Sequence, residues 1–84
     1  MKRDPSATVT LSAGTGTISA GDNSVTVSHT LGVVPTASLV TPSDGCESPI
    51  EVPDDSITAS EFIVRFVGGV TLEEDAKFKW AVVT

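Results

Sequence analysis

Between Ser24 and Thr30 the chain alternates without a fault. Val25, Val27 and His29 fall on one side, and Ser24, Thr26 and Ser28 on the other. A period of two fits a β-strand with one face on a core and one on water, and no helix. The same period returns at Glu61 to Val67, with Phe62, Val64 and Phe66 against Ile63, Arg65 and Val67. It closes the chain at Ala76 to Val83, where Phe78, Trp80 and Val82 alternate with Lys77, Lys79 and Ala81.

Weaker strand signals lie between these. Thr8 to Ser12 places Val9 and Leu11 on one face, and Thr36 to Thr41 centres on Leu39 and Val40. Ala13-Gly14-Thr15-Gly16 reads as a turn, Thr17 to Ala20 as a second short strand, and Gly21-Asp22-Asn23 as another turn. Gly68-Gly69 ends the strand that starts at Glu61. From Pro42 to Asp55 the chain carries three prolines and five acids, which predicts a long loop with one short edge strand near Ile50 to Val52. No run of ten or more residues has a helical period.

Short strands at close spacing predict an all-β fold: an antiparallel β-sandwich of six to eight short strands with essentially no helix. Residues 1–7 have no period and read as an N-terminal arm; residues 8–84 read as one sandwich domain. The expected core is Val9, Leu11, Val25, Val27, Leu39, Phe62, Val64, Phe66, Phe78, Trp80 and Val82. Choosing the aromatic face of the last strands as the inner one buries the most area.

Size and charge narrow the function. A chain of 84 residues buries only about 60–65% of the surface its unfolded form exposes, so an external staple is expected. One cysteine excludes an internal disulfide, which leaves self-association or docking on a larger body. The formal charge is −6, and Asp44 to Glu61 holds six acids and no base. Such a surface repels phosphate backbones and anionic lipid, so neither nucleic acid nor membrane is an expected partner. The Met-Lys-Arg-Asp-Pro-Ser start has no apolar run behind it, and no stretch approaches the length of a membrane span. Synthesis in the cytoplasm of the producing cell is expected.

Candidate chemistry is sparse. His29 is the only histidine; at a strand end it is expected to bond backbone groups of the following loop. Cys46 has acidic neighbours, which raise a thiol pKa rather than activate it. Asp44, Glu47, Glu51, Asp54 and Asp55 do not follow a calcium-loop order, and a solvated acidic loop is the reading for them and for Glu73, Glu74 and Asp75. Paired carboxylates here lack the depth of chain for a glycosidase cleft, there is no tyrosine, and the one tryptophan is on a predicted core face. No catalytic residue, metal ligand or cofactor is assigned, and the chain is expected not to be an enzyme.

From Gly16 to Pro35 the chain contains Ser24-Val25-Thr26-Val27-Ser28-His29-Thr30-Leu31-Gly32, followed by Pro35. Later come Leu39-Val40-Thr41-Pro42, Ile57-Thr58-Ala59-Ser60-Glu61-Phe62-Ile63-Val64 and Phe78-Lys79-Trp80-Ala81-Val82. Together these resemble a small β module recurrent in virion proteins of tailed phages and in prophage regions, over nearly all of the chain after the arm. The pattern is also similar to the H-type lectin sandwich, a six-stranded fold that trimerises; none of that lectin's sugar-binding residues is identifiable. The acidic loop around Cys46 departs from the module.

The resemblance implies a capsid decoration or cement protein on the virion surface, acting as a homotrimer on the major capsid protein. Its alternative is a lectin-like receptor-binding or tail-fibre module that recognises host glycans. Expected contacts with shell or subunits are Lys2, Arg3 and Pro5 in the arm and Leu31, Val33 and Val34 in the apolar loop.

Overall fold

The structure, a computed structural model, describes residues 10–84. The expected arm and Val9, with Lys2, Arg3 and Pro5, lie outside them. Six strands are present among the described residues: β1 (Leu11–Ile18), β2 (Ser24–Ser28), β3 (Ala37–Pro42), β4 (Ile50–Glu51), β5 (Glu61–Phe66) and β6 (Ala76–Val83). Two single 3-10 turns, Asp54–Ser56 and Val67–Gly69, are the only helical elements there. The strands form two antiparallel sheets, one ordered β1-β6-β3 and the other β2-β5-β4. The fold is the expected all-β one, compatible with a small sandwich.

The core lies between the sheets. Phe62, Val64 and Phe66 of β5 and Val27 of β2 come from one side; Ile18 of β1 and Ala76, Phe78 and Val82 of β6 come from the other. Each fully buried phenylalanine withdraws side-chain area worth about 2–3 kcal/mol from water. His29, Phe62 and Trp80 join the layers in one ring stack. The His29 and Phe62 centroids are 6.2 Å apart and near parallel, and Trp80 meets Phe62 edge-on at 5.5 Å.

The stretch expected to turn at Ala13–Gly16 is the middle of β1, and Thr17 and Ile18 are its continuation rather than a second strand. The register explains the glycines. Gly14 lies opposite Trp80 and Gly16 opposite Phe78, both facing inward. A Cβ on Gly14 would meet the indole at 3.0–3.2 Å, and one on Gly16 would overlap the edge of the Phe78 ring at its Cζ. The glycines are the gap into which two large rings of the neighbouring strand lie.

That register also sets which side of β1 is buried. Ser12, Gly14, Gly16 and Ile18 point inward, so Leu11 points outward and is 60% exposed. Leu39, opposite Ala81, is outward for the same reason and 64% exposed. Both were expected in the core. Val25 and Trp80 are half-buried at its margin, and Ile18 and Ala76 join it unexpectedly.

The irregular segment folds as the prolines require. Ile50–Glu51 pairs with Phe66 and Arg65 for two residues, then Pro53 turns the chain out of the sheet. Ser56 finishes the job that the short strand leaves. Its Oγ donates to Pro53 O at 2.7 Å and accepts from Ile63 N–H at 3.2 Å, so a side chain satisfies a backbone donor of β5.

Candidate functional site

The outer face of the β1-β6-β3 sheet is unlike the rest of the surface. By register, Ala37, Val83 and Leu11 form one cross-strand row and Leu39, Ala81 and Ala13 the next. The third row is Thr41, Lys79 and Thr15, and Lys77 stands opposite Thr17 beyond it. Among the described residues no acidic side chain falls in these rows, although the chain has eleven. Two of the three bases among the described residues, Lys77 and Lys79, are on it.

The apolar loop expected to make contacts meets this face at its Val83 end. Thr36 donates its backbone N–H to Val83 O at 2.8 Å, so the loop enters β3 there. Val33 and Val34 are 52% and 58% exposed, whereas Leu31 turns back and packs against the core. Leu11, Leu39, Val33 and Val34 are four of the six large apolar side chains left exposed among the described residues. Sequence reasoning missed Leu11 and Leu39 as surface residues, because a leucine in a strand reads as core until its neighbour strand is known.

The outer face of the other sheet carries an open groove of about 540 Å³, lined by Asn23, Ser24, Glu51, Asp55, Ile63 and Arg65 among others. Arg65 and Glu51 are paired across it at 3.2 Å. Both are exposed enough that the pair is worth at most about 1 kcal/mol. A smaller groove of about 400 Å³, lined by Gly45, Glu47 and Thr71 to Glu74, is acidic.

His29 is buried and bound at both ring nitrogens. Nε2 donates to Thr58 O at 2.8 Å, and Nδ1 accepts from Leu31 N–H at 3.3 Å. The Leu31 bond is the one expected with the following loop; the Thr58 bond ties the β2 end to the corner before β5. Beside it, Ser12 Oγ accepts from the backbone and hydroxyl of Thr30.

Cys46 is half-buried against the core, and its thiol donates to Ser48 O at 3.5 Å. Burial pushes the thiol pKa up. The direction matches the sequence reading, but the cause is desolvation and not the acidic neighbours. Gly45 before it has φ +75°, and a Cβ there would sit 2.5 Å from Asp75 O, so only glycine fits the bend. Among the described residues, no group of three or more His, Cys, Asp or Glu side chains is arranged to hold a metal ion.

No family model, no curated protein and no solved structure matches the chain.

Proposed function

We propose that the protein is a structural component of a phage virion, a decoration protein that works by packing onto the major capsid protein. One observation carries this reading: the outer face of the β1-β6-β3 sheet presents two apolar cross-strand rows bordered by lysines and free of carboxylates. Contiguous apolar surface on a small domain marks a place where another protein sits. A domain this small gains from such a partner what it lacks in core. The exposed Val33 and Val34 continue the surface at one end, and the sequence resemblance supplies the kind of partner.

Mixing the protein with expanded shells that lack it tests the reading. Saturable binding, lost in a Leu11→Lys, Leu39→Lys variant that still folds, is the expected result. An absence of saturable binding overturns it. A specific hit on a glycan array, with no shell binding, moves the protein to the receptor-binding alternative.

A further inference from the structure

Among the described residues β1 is an edge strand of its sheet with no neighbour on its outer side, and its chemistry is that of a strand meant to be paired. The Thr84 N–H donates to Thr10 O at 3.1 Å, which fixes the phase of the β1-β6 ladder. Thr10, Ser12, Gly14, Gly16 and Ile18 spend their backbone groups on β6. Leu11, Ala13, Thr15 and Thr17 therefore turn both N–H and C=O toward the open side. None of these eight groups takes part in the turn, loop or side-chain hydrogen bonds among the described residues.

Proteins blunt exposed edges with charge, proline, bulges or brevity. Two of the other edges are blunted, since β3 ends in Pro42 and β4 has only two residues; β2 is also uncharged but has five residues. β1 has eight residues with no charge, no proline and an unbroken register from Leu11↔Val83 to Ile18↔Ala76.

We propose that β1 pairs with β1 of a second copy, antiparallel about a twofold axis at Gly14. The register follows from the free groups. With Gly14 opposite its counterpart, Leu11 faces Thr17 of the second copy and Ala13 faces Thr15, and the reciprocal pairs complete the set. All eight open groups of each copy are then used. Gly14 falls at a closely spaced, non-hydrogen-bonded position, where absence of a side chain lets two strands approach. Charge does not oppose pairing at this edge, and its eight uncharged residues are the longest such stretch among the edge strands described. Two copies that each carry −6 repel one another least where neither strand holds a charge. The product is a six-stranded sheet ordered β3-β6-β1-β1-β6-β3. It is a dimer, where the sequence resemblance implies a trimer.

The test uses the full chain at rising concentration, with mass in solution and amide exchange read together. The mass is expected to move from one chain to two. The amides of Leu11, Ala13, Thr15 and Thr17 are expected to become protected as it does, while those of Ser12, Gly14 and Gly16 stay protected throughout. Thr15→Pro removes only an outward N–H and is expected to weaken association about tenfold to a hundredfold. If that variant fails to fold, Thr15→Lys, which adds a charge beside Lys79 and near the axis, is expected to weaken association in the same direction. A chain that stays monomeric overturns the pairing. So does an oligomer whose odd-numbered β1 amides still exchange fast, protection that ignores concentration (a segment of the same chain on the edge), or a folded Thr15 variant of unchanged association. Shell binding is read separately, so either proposal can fail while the other stands.

Discussion

Gly16 lies directly across the ladder from Phe78, and the phenyl ring occupies the volume that a side chain on residue 16 would need. The pair turns a residue that usually weakens a strand into the seat of the one fully buried ring of β6. Gly14 and Trp80 repeat the arrangement two residues along.

Gly16→Ala is therefore expected to destabilise the fold by about 1–3 kcal/mol through overpacking. Gly14→Ala is expected to cost less, because its nearest contact is the margin of a half-buried indole. Urea unfolding midpoints measure both. Combining Gly16→Ala with Phe78→Leu is expected to recover part of the loss, giving a coupling energy above about 0.5 kcal/mol in a double-mutant cycle.

Trp80 carries a buried indole N–H with no partner among the described residues. Leaving such a donor unpaired costs about 1–3 kcal/mol. Trp80→Phe removes the unpaired donor and keeps the ring against Phe62, so its net effect is expected to lie within about 1.5 kcal/mol of zero. Trp80→Ala is expected to cost about 3–5 kcal/mol. The contrast between the two in thermal or urea unfolding checks the account.

His29→Ala is expected to destabilise by about 2 kcal/mol, since it strands Thr58 O and Leu31 N–H together and removes the stack on Phe62. Nitrogen-15 NMR of the native ring is expected to show the proton on Nε2. A proton on Nδ1 would contradict the bonding described.

Cys46 is expected to alkylate more slowly at neutral pH than an unfolded control, because burial raises its pKa and lowers its thiolate fraction. The sign for stability follows. A thiol whose folded pKa is raised favours the fold fully below the unfolded value, about 8.5, and that contribution is lost as pH rises through the folded value. A Cys46→Ala variant is expected to show a flatter stability profile above about pH 8.

The strands whose own side chains alternate were legible in the sequence, and the expected strands at Thr36–Thr41 and Ile50–Val52 also appear within one residue as β3 and β4. Ala76–Val83 appears with its bounds unchanged, and β2 and β5 within two residues. β1 was not legible as one strand, because Gly14 and Gly16 carry the signature of a turn and their real reason lies on β6. Leu11 and Leu39 fail for a related cause: which side of a strand is buried depends on the strand beside it. The free edge of β1 was still further out of reach, since it exists only once the order β1-β6-β3 is known.

That order has a bearing on how the molecule comes into being. β6 is the middle strand of its sheet, and both β1 and β3 pair with it and not with each other. Until Ala76–Val83 has been synthesised, neither neighbour has anything to join, and β1 must wait across more than fifty residues of chain for its partner. Contacts so distant along the chain make for slow folding. Throughout that wait the uncharged Leu11–Ile18 segment is open to other chains on both sides. In a nascent-chain or pulsed-label experiment the paired β2 and β5 amides, closer along the chain than β1 and β6, are expected to gain protection before those of β1.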